Sequence, residues 1–422
     1  MIAHLLYSLL WIAALPLVLL RLLWRARKQP AYLHHLGERF GAYPASAPAP
    51  VIWVHAVSVG ETRAAAPLIA ALLQRWPAHT VVLTHMTPSG RATAHELFGD
   101  EPRVLSAYLP YDMSTLSQRF LRRFRPDFGV IMETELWPAL LATCRQRGIP
   151  VVLANARLSA RSAQRYARWP ALTRATLGAL TAIGCQTDAD RQRLQALGAT
   201  GLRITGNIKF DITPPQAQIA LGEAFRTRFA GRPVILAAST RDGEERLIFE
   251  AFVAESPSNV LLALVPRHPQ RFDDVAALAA ASGLKLQRRS DDQPVKAATR
   301  VWLGDTMGEM FAYYTAADVA LIGGSWLPFG GQNLIEACAV GTPVILGPHT
   351  YNFALVAEQS IACGAAARAP DVKRGIIAAL ALLTDSERRD HAGAAGREFA
   401  LAHRGATART LALIEAVAPD GG

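Results

Sequence analysis

The sequence predicts an α/β protein made of two doubly wound, parallel-sheet halves behind an N-terminal apolar helix. Three observations carry this. Short β-branched runs, apolar on both faces, alternate with longer helical stretches, as the buried strands of parallel sheets do. The alternation is interrupted at Pro214–Pro215 and Gly231–Pro233 and then begins again. Ahead of it, Ile2–Leu20 holds no Lys, Arg, Asp or Glu.

That apolar stretch is 19 residues long, and a helix of such length spans about 28 Å, close to one bilayer core. Arg21, Arg25, Arg27 and Lys28 follow at once. Positive charge on that side places the body in the cytoplasm. A cleaved signal peptide would carry its charge before the apolar run. Trp11 and Trp24 suit interfacial positions. Pro16 interrupts the run, so a helix lying in one leaflet stands beside a spanning one as an alternative.

Val51–Val57, Thr80–His85, Phe128–Met132 and Pro150–Ala154 read as strands of the first half. Ala64–Trp76 and Leu136–Arg147 read as helices between them. Val234–Ala238, Val260–Val265, Val301–Leu303, Val319–Gly323 and Val344–Gly347 supply strands of the second. The boundary falls between residues 206 and 232. Open α/β sheets bind ligands beyond the carboxyl ends of their strands. Two such halves facing each other would make a cleft.

Composition narrows the partners. Of 422 residues, 51% are hydrophobic and 18% charged, which excludes a disordered chain. The net charge of +10 favours an anionic partner. The four cysteines form no CxxC or Cys/His cluster, which argues against a zinc site or a disulfide scaffold and fits a reducing compartment.

The informative residues follow the strands. His55-Ala-Val-Ser-Val-Gly-Glu61 leaves a strand and enters a helix. Glu61 reads as a general base toward a hydroxyl or as a first-turn acid on the helix dipole. Met132-Glu-Thr-Glu-Leu-Trp-Pro138 places Glu133 and Glu135 after the next strand. Paired acids hold a proton, bind sugar hydroxyls or pair with a cation. Asn155-Ala-Arg-Leu-Ser159, with Arg161 and Ser162, suits a phosphate or carboxylate, or is a basic helix start. In Gly206-Asn-Ile-Lys-Phe-Asp211, Lys209 either reaches a cleft or pairs with Asp211.

In the second half, Ser239-Thr-Arg-Asp-Gly-Glu-Glu245 reads as an anion-binding turn or as an N-cap with an acidic first turn. Val265-Pro-Arg-His-Pro269 holds Arg267 and His268 between prolines, a phosphate clasp. In Asp305-Thr-Met-Gly-Glu-Met310, either Gly308 exposes backbone amides and Glu309 suits ribose hydroxyls, or the stretch is a capped helix start. Gly323-Gly-Ser and the stretch Pro328–Glu336 read as a glycine loop with Asn333 and Glu336 three apart on one helix face, which suits a nucleotide-sugar pocket or is simply a glycine pair before a capped helix. No Walker A or Rossmann dinucleotide fingerprint occurs. Asp188-Ala-Asp190 opens a helix and reads as capping.

HAVSVGE (55–61), METELWP (132–138), NARLSARS (155–162), GNIKFD (206–211), VPRHP (265–269), GDTMGEM (304–310) and GGQNLIEA (330–337) occur together and in order. With these motifs the chain resembles the 3-deoxy-D-manno-octulosonic acid (Kdo) transferases of lipid A biosynthesis. The resemblance runs from the apolar N-terminus and Gly37–Gly41 to about residue 360. It implies a glycosyltransferase-B fold. Its parts would be a membrane anchor over 1–28, an acceptor-binding Rossmann-like domain over 29–215, and a CMP-sugar-binding one over 216–422 with a closing C-terminal helix. It implies an inverting glycosyltransferase that needs no metal and no cofactor. CMP-Kdo would be the donor and a lipid A precursor, lipid IVA, the acceptor, at the anionic inner-membrane surface, with no nucleic acid as partner. It implies that Glu61 is the base and that Glu133 and Lys209 stabilise the transition state. The Lys209 contact would be the Kdo carboxylate or an acceptor phosphate. For CMP it implies Pro266, Arg267, Met307, Gly308, Glu309, Asn333, Leu334, Ile335 and Glu336.

Overall fold

Seven parallel strands make each of two sheets in the protein, seen here in a computed structural model that describes residues 2–44 and 46–419, without the side chains of residues 2–6, 8, 9 and 28. The first sheet holds β1 (Val51–His55), β2 (Thr80–His85), β3 (Val104–Tyr108), β4 (Phe128–Met132), β5 (Val151–Ala156), β6 (Ala182–Cys185) and β7 (Leu202–Ile204). Their order is β3-β2-β1-β4-β5-β6-β7, so the winding reverses between β1 and β4. The second sheet holds β8 (Val234–Thr240), β9 (Leu261–Pro266), β10 (Leu286–Arg288), β11 (Val301–Leu303), β12 (Val319–Ile322), β13 (Val344–Leu346) and β14 (Ala366–Arg368). Its order is β10-β11-β9-β8-β12-β13-β14, reversing between β8 and β12. A crevice at such a reversal is where open sheets take ligands.

The central strands are buried on both faces because helices cover both. β1, β2, β4 and β5 are buried along their whole length. One layer gathers Trp53, Phe120, Leu140 and Leu153; the other gathers Ile52, Leu68, Ile69 and Val130. Gly129 in β4 makes room for the first layer, since a Cβ there would lie 2.5 Å from the Trp53 ring.

The chain divides into Met1–Asp211 with Arg404–Gly422, and Ile212–His403. The first division falls after Asp211, where the sequence reading sets the domain boundary at 215. The C-terminal segment departs from expectation: residues 404–422 belong to the first unit rather than the second. The reason is local. Asp211 accepts the backbone N–H groups of Gly405 (2.6 Å), Ala406 (3.3 Å) and Thr407 at the start of helix Ala406–Glu415. Leu413 and Ile414 of that helix then join the layer of Leu68 and Ile69.

The apolar N-terminal run folds as part of one helix, Ile2–Lys28, with Pro16 inside it. The expected anchor falls partly on side chains outside the described residues. Among the described residues, no helix is long and apolar enough to cross a membrane. The helix has two faces. Leu22 and Ala26 are buried, Tyr7 donates to Asp112 at 2.7 Å, and Trp11 stacks on Tyr111. Trp11 thus turns one face to the protein and stays partly exposed. Leu10, Ile12, Leu17, Leu20, Leu23 and Trp24 are exposed on the opposite arc.

Candidate active site

The reversal between β1 and β4 brings together the residues the sequence singled out in the first unit. β1 ends at His55, and the chain turns into helix Val59–Arg75 with Ser58 as its N-cap. Glu61 lies in the first turn. Its carboxylate folds back, accepting from Val57 N at 2.8 Å and from Ser58 Oγ at 3.1 Å. The side chain is therefore fixed, with lone pairs left over on both oxygens. Burial pushes the Glu61 carboxyl up to about 7, the Val57 amide pulls it down, and the charges of Glu133 and Glu135 push it up again. Glu61 occupies the helix N-terminus, as one of its two readings has it, and its carboxyl is raised toward neutral pH.

Glu133 continues from β4 with φ +58°, a left-handed conformation that a residue with a side chain rarely adopts. Its amide still donates to Ala154 O of β5 at 2.9 Å. Lys209 Nζ donates to Glu133 Oε1 at 2.8 Å. Of the two readings of Lys209, pairing with Asp211 is thus replaced by pairing with Glu133, because Asp211 is taken by residues 405–407. Burial, then the Glu133 charge, raises the Glu135 carboxyl as well.

Asn155, which the sequence places in an anion motif or a basic helix start, has a structural role that neither reading contains. It is fully buried at the end of β5 with φ +55°, and its Oδ1 accepts the Ile208 amide at 3.1 Å. Asn207 accepts the Lys209 amide at 3.0 Å. Two asparagines therefore fix the turn that aims Lys209. Ser159 caps the helix Ala160–Ala167. The N-cap of helix Asp188–Ala196 is Thr187 rather than Asp188 or Asp190: its Oγ1 accepts the Asp190 amide at 3.1 Å, while the Asp190 carboxylate accepts from Thr187 Oγ1 at 2.6 Å and from the Leu158 amide at 2.8 Å.

Beneath this site lie two buried imidazoles. His55 Nδ1 meets Thr84 Oγ1 at 2.9 Å, and His85 Nδ1 meets Ala56 O at 2.9 Å. Burial lowers both, His55 to about 3 and His85 to about 4, so both are neutral near pH 7.

In the second unit the expected donor residues share the carboxyl edge of the sheet. Pro266 ends β9, and Arg267 N donates to Thr240 O at 3.0 Å. Burial and the cations Arg241, Arg267 and Arg271 lower His268, a sign of concentrated positive charge. Met307 is exposed and Gly308 has φ +80° with open space around it. Glu309 is held by Arg289 Nη2 at 3.1 Å and by Thr306. A ribose hydroxyl would have to share it.

Asn333 and Glu336 meet at 3.0 Å, but only Glu336 is helical, in Ile335–Val340. Leu334 and Ile335 are fully buried, backbone included, and the Ile335 amide donates to Asn333 Oδ1 at 3.1 Å. Glu244 and Glu245 were read as an acidic first turn or an anion site. Both are buried carboxylates that hold neighbouring loops: Glu244 accepts backbone amides, and Glu245 pairs with Arg271 at 2.6 Å.

Residues 34–212 match the family described as 3-deoxy-D-manno-octulosonic-acid transferase (kdotransferase). The chain is 48% identical over 390 residues to the 3-deoxy-D-manno-octulosonic acid transferase of Bordetella pertussis, covering 89% of this chain and 90% of that one. It is 38% identical over 418 residues to the enzyme of the same name from Haemophilus influenzae, covering 97% of each. Among solved structures, a putative UDP-N-acetylglucosamine 2-epimerase from Listeria monocytogenes superposes with a TM-score of 0.57 at 17% identity, over 87% of this chain and 96% of that one. That last likeness concerns the fold alone, two Rossmann-like halves. Taken with the ordered motifs and the geometry around Glu61, the two relatives show that this chain belongs to the 3-deoxy-D-manno-octulosonic acid transferase family of glycosyltransferases.

Proposed function

We propose that the protein transfers Kdo from CMP-Kdo to a lipid A precursor, lipid IVA, in lipopolysaccharide core biosynthesis, with inversion at C2 of the sugar. The observation that carries this is Glu61: a fixed, half-buried carboxylate raised to about 7, beside the Glu133–Lys209 pair. Glu61 takes the proton of the acceptor hydroxyl. The freed oxygen forms a bond to C2 as the bond from C2 to the phosphate oxygen breaks, and the electron pair leaves on CMP. A correctly placed base contributes about 10²–10⁴-fold to such a step. Lys209 offers its charge to the Kdo carboxylate or an acceptor phosphate. Arg267, in its cationic surroundings, meets the charge growing on the departing phosphate. Pro266, Met307, Gly308, Glu309, Asn333 and Glu336 complete the CMP site, with Leu334 and Ile335 buried behind it.

No cofactor or metal takes part in this reading. Among the described residues, no group of three or more His, Cys, Asp or Glu is arranged to hold a metal ion.

The exposed arc of Ile2–Lys28 supports attachment to the inner membrane, with the body on the cytoplasmic side. A second feature favours an anionic surface. Between Glu135 and Asp188 the chain has seven arginines and no acid. Arg165, Arg168 and Trp169, itself 64% exposed, lie there at the surface beside helix Pro170–Leu177, which packs on the N-terminal helix. Each such cation near an anionic bilayer contributes about 1 kcal/mol.

The test is transfer from freshly generated CMP-Kdo to a tetra-acylated lipid A precursor, read by mass spectrometry. A gain of whole Kdo units, lost in Glu61→Gln while CMP still binds, is expected. Normal turnover by that variant would remove Glu61 from the role of base.

A further inference from the structure

The reversal between β8 and β12 contains an anion site that the protein fills itself. The Glu244 carboxylate is fully buried in the first turn of helix Glu244–Glu255. Oε2 accepts from Gly324 N at 2.7 Å and Arg241 N at 2.8 Å. Oε1 accepts from Trp326 N at 3.0 Å and Leu327 N at 3.4 Å. All four partners are donors. A protonated carboxyl would turn one oxygen into a donor facing N–H groups, so the arrangement suits the ionised form.

Successive amides converging on one point form the kind of nest that loops use to hold phosphate. Here the nest is closed by a side chain. The amides of Gly324, Trp326 and Leu327 are turned inward and are not available to a ligand. Close packing leaves the loop no other path: a Cβ on Gly323 would lie 2.4 Å from Ser239 O, and Gly347 N donates to Ser325 Oγ at 2.8 Å. The same loop runs on to Asn333 and Glu336.

We infer that Glu244 is an internal counter-anion for the loop 323–331, a positioning residue that sets the loop for the donor and leaves the donor's phosphate to side-chain cations such as Arg267. This rests on the reading of the second unit as the CMP-Kdo site.

The test uses the full-length chain with Glu244→Gln and Glu244→Ala. The Gln variant has the same shape but directs an NH₂ group at N–H donors. Losing a charge-assisted hydrogen bond without replacement corresponds to about tenfold or more. The expected result in Gln is a KM for CMP-Kdo raised by about that factor, with the KM for the acceptor unchanged. In Ala, formate at millimolar concentration should occupy the emptied nest and lower the donor KM again, and formamide should not. A general loss of structure would be rescued by neither. Donor and acceptor KM rising together in Gln, or no effect of formate in a folded Ala variant, would overturn the inference.

Calorimetry of CMP with the unmodified protein separates the two levels. No heat of binding would sink the donor reading itself. Hydrogen exchange at residues 324, 326 and 327 then decides the nest alone. Protection lost in Gln supports it, and unchanged protection overturns it.

Discussion

Lys209 Nζ lies 2.8 Å from Glu133 Oε1, a pair formed across 76 positions of sequence. Both side chains are about a quarter exposed or less. Glu133 reaches the pair from a left-handed backbone, a conformation that costs on the order of 1–3 kcal/mol and persists where the surroundings enforce it. The surroundings here are the β5 ladder on one side and the turn fixed by Asn155 and Asn207 on the other. The result is a cation held on Glu133, the carboxylate whose charge also acts on Glu61 and Glu135.

Removing the cation should therefore harm chemistry more than folding. Lys209→Ala is expected to lower kcat by about 10²-fold or more, the scale seen when one charge-stabilising donor is lost. Its melting temperature should change little, because a partly exposed pair adds about 1 kcal/mol or less. Steady-state kinetics and thermal unfolding on the same preparation check this. A variant with normal kcat would exclude Lys209 from the transition state.

The Glu61 carboxyl, raised to about 7 from 4.5, predicts a pH dependence of opposite sign for activity and for stability. Activity needs the base ionised, so kcat/KM should rise with pH through about 7 and lose that limb in Glu61→Gln. Stability runs the other way. Between 4.5 and 7 the folded protein holds this proton and the unfolded chain has released it. The favourable contribution is present at the acid end and is lost as pH rises through that window. The stability of the unmodified protein relative to Glu61→Gln should fall from about pH 5 to about pH 8 in denaturant unfolding. Glu133→Gln removes one of the like charges and should move the activity limb to lower pH. An unmoved limb would mean that the Glu133 charge does not reach Glu61.

How much of this was legible follows burial and contact range. The central strands β1, β2, β4, β5, β8, β9 and β12 could be read because they are continuous apolar runs buried on both faces. β3, β7, β10 and β14 could not. All four end their sheets, β7, β10 and β14 have only three residues each, and Ser106, Arg203, Gln287 and Arg368 break their patterns. β6, only Ala182–Cys185, lacks a β-branched run long enough to announce itself. The site residues Glu61, Glu133 and Lys209 were found through their place after strands and through the family motifs. Their pairing was not, since sequence spacing put Asp211 nearest to Lys209. Glu244 and Glu245 do stand in an acidic first turn, but their inward contacts, like that of Asn155, were not legible for a related reason. An acid or amide after a strand has the same spacing whether it faces a ligand or turns inward to tie a loop.

Asp211 gives a prediction about folding of the first unit. It takes three amides at the start of helix Ala406–Glu415, and so ties the chain's last helix to the point where the first unit ends. Asp211→Ala leaves those amides with no partner from this side chain and removes a charge from a helix N-terminus. Loss of a cap costs about 0.5–2 kcal/mol, and the charge adds to it. The expected outcome is a lower melting temperature and faster proteolysis after residue 403, with CMP affinity unchanged. An unaltered digestion pattern would mean that Leu413 and Ile414 hold the helix without the cap.

Arg271 gives the last prediction, in the second unit. Its guanidinium grips Glu245 with both terminal nitrogens, at 2.6 and 3.1 Å, and Glu245 is fully buried. Thr240 Oγ1 is the other group on that carboxylate, at 2.7 Å. Arg271→Ala would leave a buried charge with a single neutral donor, and breaking a buried pair from one side costs about 3–5 kcal/mol. Arg271→Lys keeps the charge without the fork and should recover only part of that loss. The turn Pro269–Arg271 directly follows Pro266–His268, so the damage should also reach the phosphate clasp. Calorimetric unfolding, together with CMP titration of Arg271→Lys, checks both effects. Lysine restoring full stability would show that charge alone, not the two-point geometry, holds Glu245 in place.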